Sequence, residues 1–302
     1  MATDIFSAPH FRDDTAARQY LERLLWPDGP VCPHCGVIGH AYATKRAGVY
    51  RCAEKECRKD FTVTMRTVME RSKIALHKWL QAFHLMCSSK KGMSAHQLHR
   101  TLGVTYEAAW FMAHRIREAM RAGGLAVPMG SGGGIVEADE TFIGRKKGAR
   151  AKQGFGHKMV VMTLVERGGK ARSFKIDHAG KEAAERIIGE NVSREARLMT
   201  DSASYYKRAR FDVASHDTIN HDAGEYGRGE IHTNTIESYY SVFKRGMKGT
   251  YQHCGEKHLH RYAAEFDFRY NTRIALGVND GERAALAVKG AAGKRLTYRG
   301  TH

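Results

Sequence analysis

Two sets of residues have the types and spacing for metal chemistry. The first is Cys32-Pro-His-Cys35, followed after 16 intervening residues by Cys52 and Cys57. A C-x2-C pair and a C-x4-C pair can offer four thiolates to one tetrahedral zinc, with short strands at Tyr50-Arg51-Cys52 and Phe61-Thr62-Val63 flanking the knuckles. His34 and His40 are the alternative ligands should one thiol stand aside. Four thiolates fill the coordination sphere, so this zinc is structural rather than catalytic. In so short a segment the ion supplies most of the folding free energy, on the order of 10 kcal/mol or more.

The second set is acidic and dispersed. Along Ile135–Ile143, period-two alternation puts Glu137, Asp139 and Thr141 on one face of a strand and Val136, Ala138, Glu140 and Phe142 on the other. Leu198-Met199-Thr200-Asp201 ends a second strand with an aspartate where the chain leaves the sheet. Further on, Ile236, Tyr240, Phe243 and Met247 make an apolar helical stripe, and Glu237, Ser241, Lys244 and Lys248 repeat its spacing one residue later, about 100° around the axis. If the apolar stripe docks on the sheet, Glu237 and Lys244 share a face at its edge. Three carboxylates are hard oxygen ligands for two magnesium or manganese ions. Two such ions about 4 Å apart activate an attacking oxygen and stabilise a leaving one in phosphodiester chemistry, and Lys244 can hold a phosphate beside them.

The elements that must position these groups are readable in outline. A helix is expected over 13–25, and another over 74–87 with Leu76, Trp79, Leu80, Phe83 and Met86 inward. Ser94-Ala-His-Gln97 has the form of a capping box, Gly103 a stop, and Thr105 a cap for a helix reaching about Arg121, which together resemble a helix-turn-helix. The glycine-rich run 122–134 breaks the pattern. Three strands (135–143, 157–166, 171–178), a helix (181–191), strands at 196–201 and 213–220, and helices at 233–249 and 256–272 follow. That is the element order of an α/β, RNase H-like domain with a mixed sheet and flanking helices. The expected organisation is an N-terminal helix (1–30), a zinc ribbon (31–66), a helical DNA-binding region (67–123), a linker (124–134), the catalytic domain (135–275) and a C-terminal tail (276–302).

With 49 lysines and arginines against 32 acids, the formal charge of +17 attracts polyanions, and nucleic acid is the expected partner. Arg115 and Arg117 on the second of the paired helices, and Lys244, Arg245 and Lys248 beside the acidic stripe, are the candidate phosphate contacts. No apolar run is long enough for a membrane span, and the first residues lack the pattern of a secretory signal, so a cytoplasmic, nucleoid-associated protein with no membrane partner is expected.

Several passages resemble the DDE transposases of bacterial insertion sequences, most closely insertion-sequence family fifteen-ninety-five. They are the ribbon Cys32 to Phe61, Val136-Glu-Ala-Asp139-Glu-Thr-Phe-Ile-Gly144, Asn234-Thr-Ile-Glu237 through Lys244-Arg-Gly246 and Gly249-Thr-Tyr251, His258-Leu-His-Arg-Tyr262, and Glu265-Phe-Asp-Phe-Arg-Tyr-Asn271. The resemblance implies metal-dependent cleavage at transposon ends and transfer of the freed 3′-hydroxyl into target DNA, without a covalent protein–DNA link. It implies DNA partners comprising terminal inverted repeats and a target, and an oligomer of at least two copies. Asp139 and Asp201 match the two aspartates and Lys244 the basic residue that follows the last acid by seven. Relatives can carry Asn at the third acidic position; Glu237 is assigned by its spacing to Lys244, with Asn234 one turn earlier in a supporting role.

Two other readings compete. His258-Leu-His260 with Tyr262 superficially fits an HUH nuclease, although Leu259, Tyr262, Ala263, Phe266 and Tyr270 mark a helix where that class needs a strand. A domesticated DNA-binding regulator explains the charge but leaves 135–272 without a role.

Overall fold

The computed structural model describes residues 5–123, 127–151, 153–209, 212–225 and 227–297. Two compact units emerge, one from residues 1–89, 93–121 and 278–302, the other from residues 90–92 and 122–277.

In the first unit, helix α1 (Asp14–Leu25) starts where the Asp13 carboxylate accepts the Ala16 N–H. Strands β1 (Ala41–Ala43), β2 (Tyr50–Cys52) and β3 (Asp60–Phe61) form an antiparallel ribbon in that order, and Trp26 packs its ring edge-on to Tyr50 and Phe61. Helix α2 (Leu76–Ser88) buries Trp79, Leu80, Phe83 and Met86. Helix α3 (Ala95–Leu102) has the full Ser94/Gln97 capping box and ends at Gly103 in the left-handed region, φ 58°, where a Cβ would be strained. Helix α4 (Tyr106–Met120) is capped by the Thr105 hydroxyl.

Burial along α4 corrects the expectation that its arginines meet DNA. From Met112 to Arg117 every side chain is buried, with Arg115 at 7% and Arg117 at 2% exposure. Arg115 donates to the carbonyls of Glu70 and Leu296 and lies over the Phe111 ring. Its charge holds backbone segments together; only the first turn of α4, with Tyr106 and Glu107, faces solvent.

The expected C-terminal tail also turns out to be structured. Helix α8 (Asp280–Lys289) begins with an Asn279/Glu282 capping box and packs on α2, α1 and α4. Arg283 donates to the Cys87 carbonyl and to Asp280. The missed signal was the N-D-G-E run, whose Asn and Glu have capping-box spacing.

The second unit is built on a five-stranded sheet of order β6-β5-β4-β7-β8. Strands β4 (Ile135–Ile143), β5 (Met159–Glu166) and β6 (Ala171–Ile176) form an antiparallel meander; β7 (Arg197–Asp201) and β8 (Ser215–Ile219) add in parallel on the other side of β4. Helix α5 (Lys181–Asn191) covers one face through Ala184, Ile187 and Ile188 against Val136, Ala138, Leu164 and Leu198. Helices α6 (Asn234–Gly246) and α7 (Leu259–Asn271) cover the other, with Ile236, Tyr240, Phe243 and Phe266 against Ile143, Met159, Val161 and Val165. Each large apolar side chain so buried contributes roughly 1.5–3 kcal/mol. A meander followed by two parallel strands, with helices on both faces, is the RNase H-like arrangement.

The expected linker falls partly on residues 124–126, which lie outside the described residues. Its second half is built into the second unit at the end of α5: Met129 is buried, its N–H donates to Asn191 O and its carbonyl accepts from Ser193 N–H, while Gly130 N–H donates to Glu166. Gly130 has φ +75°, and a Cβ there would come within 2.5 Å of the Ala196 Cβ. Glycines that read as flexible are here the means of close backbone approach.

Candidate active site

The site begins with the register of two strands. β4 and β7 run parallel with Glu137 opposite Met199. Two residues further along each strand, the alternation returns to the same face and sets Asp139 beside Asp201 where β7 ends. That face is the one covered by α6, whose Tyr240 hydroxyl donates to the Asp139 carbonyl at 2.6 Å. Asp201 is turned by its own loop: its Oδ1 accepts the Ala203 N–H at 3.0 Å.

Burial raises the Asp139 carboxyl to about 8, and the neighbouring Glu140 and Asp201 charges add to that; the Glu140 backbone N–H and the Lys244 ammonium oppose it. Glu140 points to the α5 side, accepts the Tyr206 hydroxyl at 2.8 Å and is pushed up to about 7, first by burial and then by Asp201. Sequence reasoning gave Glu140 no role. The available signal was an acid at a position of β4 that alternation assigns to an apolar face. Two acids midway along β4 and one at the end of β7 thus lie near the cation Lys244, whose Nζ lies 5.8 Å from the Tyr240 ring centre.

Glu137 takes a different part from its neighbour two residues on. It is fully buried, accepts the Ile236 N–H at 2.8 Å and the Thr235 hydroxyl at 2.9 Å, and pairs with Arg167 at 2.6 Å. Arg167 reaches on to the carbonyls of Glu230 and His232. A carboxylate at the first turn of α6 satisfies otherwise unpaired N–H groups and complements the helix dipole. It ties the helix that carries Glu237 and Lys244 to the strand that carries Asp139.

Along α6 and the π-helical turn Met247–Tyr251 that continues it, the two stripes lie as expected: Ile236, Tyr240, Phe243 and Met247 are buried, and Glu237, Ser241, Lys244 and Lys248 are exposed. Arg245 is exposed as well. Glu237 accepts the Thr233 hydroxyl at 3.2 Å and lies 3.5 Å from His221. Asn234 is the exposed first residue of α6. Glu237 is not drawn into contact with the two aspartates: among the described residues, only the four cysteines bring three or more potential ligand atoms within 4.8 Å of one another. Like charges held that close repel, which favours the hydrogen-bonded position of Glu237 on its helix.

The cysteine set has the geometry a zinc requires. Sγ of Cys32 is 3.7 Å from that of Cys57, and Cys35 is 3.6 Å from Cys52. A tetrahedron with Zn–S bonds of about 2.3 Å has edges of about 3.8 Å. Burial works against the Cys32 thiolate, yet the N–H groups of Cys35 and His34 and the adjacent thiols hold it down at about 7. His34 and His40 are otherwise engaged, with Asp60 O and with Glu54. The ribbon strand expected over 61–63 is instead Asp60–Phe61.

His258 precedes α7, while His260 and Tyr262 lie within it and Tyr262 is buried. The strand-borne histidine pair of an HUH nuclease is therefore not formed by these residues. No helix among the described residues is long and apolar enough to cross a membrane.

The two regions of the chain with metal-binding potential each match a known family in sequence. Residues 132–271 match the ISXO2-like transposase domain, and residues 12–60 match the transposase zinc-ribbon domain. The uncharacterized protein in transposable element ISH50 of Halobacterium salinarum is 28% identical over 258 residues, which cover 78% of this chain and 84% of that protein. A chain in the crystal structure of a pre-cleavage Mos1 transpososome matches over 63% of this chain and 75% of its own, at 14% identity and a TM-score of 0.24. With a four-cysteine ribbon ahead of an RNase H-like sheet, and both segments matching their counterparts in sequence, the chain carries a transposase zinc-ribbon domain followed by an ISXO2-like transposase domain.

Proposed function

We propose that the protein cleaves DNA at the ends of its insertion sequence and transfers the freed 3′-hydroxyl into target DNA. The observation that carries this reading is the register that sets Asp139, midway along β4, beside Asp201 at the end of the adjacent parallel strand β7, both on the α6 face. Asp139, Asp201 and Glu237 are the residues we assign to two magnesium or manganese ions, since all three offer hard carboxylate oxygens. Such ions, when bound, activate the attacking oxygen and stabilise the leaving one.

The chain's own groups do the rest. Lys244 faces the acids from α6 and holds a DNA phosphate there, with Arg245 and Lys248 extending the contact along the helix. Asn234, at the start of the same helix, supports the third acid. Tyr240 and Glu137 keep α6 in register with β4. The zinc ribbon serves as a DNA-binding arm, and the first turn of α4 is the part of the helical pair that can reach a groove. Paired ends require at least a dimer, and a cytoplasmic, nucleoid-bound location follows from a chromosomal substrate. The test is cleavage of DNA carrying the element's terminal inverted repeats. Asp139→Asn and Asp201→Asn each abolish magnesium- or manganese-dependent nicking while binding stays nearly unchanged; full cleavage by either variant refutes the assignment.

A further inference from the structure

The turn from β4 to β5 has a composition unlike any other in the chain. Between Gly144 and Met159 it carries Arg145, Lys146, Lys147, Arg150, Lys152 and Lys158, and no acid occurs anywhere from Thr141 through Val165. Arg145, Lys147 and Arg150 are exposed and enter no ion pair within the described residues. Unbalanced like charges at such spacing repel one another and gain by meeting an anion.

The base of the turn is held firmly. Lys146 N–H donates to His157 O and Lys158 N–H to Phe155 O, each at 2.9 Å. The Lys146 ammonium donates to the Asp177 carbonyl at 2.6 Å. Phe155 stacks on Phe142 of β4 with ring centres 4.5 Å apart and planes 13° from parallel, and the Lys158 ammonium lies 4.9 Å from the Phe155 ring centre. An aromatic residue that is 56% exposed would ordinarily be a liability; here it fastens a cationic turn to the strand that bears Asp139. β4 runs only four residues from Asp139 to its end at Ile143, about 13 Å of strand, which equals roughly four base pairs of duplex at 3.4 Å each.

We infer that the β4–β5 turn is a DNA-backbone clamp: Arg145, Lys147 and Arg150 grip phosphates a few base pairs from the one being cut. The inference rests on the reading of the protein as a DNA-cleaving transposase and adds a contact outside the acidic site and outside α6. Its contribution is independent of base sequence, as phosphate contacts are.

The test is DNA binding by the full-length, zinc-loaded protein, measured by fluorescence anisotropy on a labelled terminal-repeat duplex across a salt series. The triple variant R145A/K147A/R150A should bind about ten- to a hundredfold more weakly near 0.1 M salt. Its log–log salt slope should be shallower by about 0.9 for each cation that meets a phosphate. The variant R145K/K147R/R150K, which keeps the charge, should bind as the native protein does. K181A/R186A/R194A removes the same net charge from exposed positions on and after α5, and should change the slope little. Equal weakening by both alanine triples would overturn the clamp, since only net charge would then matter. So would an unchanged slope in R145A/K147A/R150A while the native protein binds and cuts. If the native protein binds no duplex DNA at all, the transposase reading falls together with the clamp.

Discussion

Asp139→Asn should make the metal-free protein more stable, by an amount that grows with pH. In the folded state the Asp139 carboxyl sits at about 8 against an ordinary value of 3.8. A group whose folded pKa is raised holds its proton more tightly when folded, so its ionisation subtracts stability as pH rises from about 4 towards 8. At 1.36 kcal/mol per pH unit the ceiling at pH 7 is about 4 kcal/mol. Part of the shift comes from Glu140 and Asp201, whose own protonation shares the strain, so about 2 kcal/mol at pH 7 is the expected gain. Asparagine keeps the Oδ1 that accepts the Glu140 N–H at 2.7 Å, so the native geometry survives. For a unit of this size the gain corresponds to a rise of roughly 4–8 °C in Tm. Trp26, Trp79 and Trp110 all lie in the other unit, so tryptophan emission tracks that unit, and hydrogen exchange of β4 and β7 amides reads the sheet. Both are measured in chelator from pH 5 to 9. A variant no more stable than the native protein at pH 8, or a gap that does not widen between pH 5 and 8, would refute the reasoning. Magnesium should then stabilise the native sheet and leave the variant's nearly unmoved.

Other perturbations follow from the same contacts. Glu137→Ala leaves Arg167 and the first turn of α6 without their shared acceptor and should cost about 3–5 kcal/mol in urea unfolding, whereas a loss under 1 kcal/mol would remove Glu137 as the anchor of α6. Chelation of zinc should red-shift Trp26 emission and unfold the ribbon, with β4 and β7 exchange unchanged; acid should do the same, because four thiolates must shed their protons to bind. Lys244→Ala should lower kcat/KM for end cleavage by ten- to a hundredfold; a change below twofold would take Lys244 out of the site. Arg115→Ala should destabilise the helical unit by about 1–3 kcal/mol while leaving the salt slope of DNA binding unchanged, and a shallower slope would restore it as a phosphate contact.

Much of the architecture is legible in the sequence because strong local signals agree with tertiary need. The Ser94/Gln97 box, the Gly103 stop and the Thr105 cap all act within one or two helical turns. Alternation along β4 sets Asp139 on the α6 face, and the spacing of Ile236, Tyr240, Phe243 and Met247 sets which side of α6 turns inward. What escapes is long-range. Arg115 and Arg117 look like surface cations because nothing nearby announces that Glu70 and Leu296 will bury Arg115. Glu137 resembles Asp139 by alternation, and only the arrival of Arg167 and Thr235, from 30 and 98 residues away, makes it an anchor. Glu237 is identified by spacing to Lys244 on one helix, but its approach to the aspartates is a matter of three-dimensional distance that spacing does not encode.

Helix α8 makes the helical unit depend on the order of synthesis. The Cys87 carbonyl waits for the Arg283 guanidinium across 196 residues. At 5–20 residues per second a ribosome takes about 10 to 40 s to cover that interval. The ribbon and the whole sheet can form in that time, while the apolar side of α2 has no α8 to cover it. A message cut short just past α7 would therefore yield a chain with every acid of the site in place and a greasy, unsealed helical unit. Such a chain is a target for proteolysis or aggregation. Residues 278–297 thus close the helical unit only after the residues of the sheet have been synthesised.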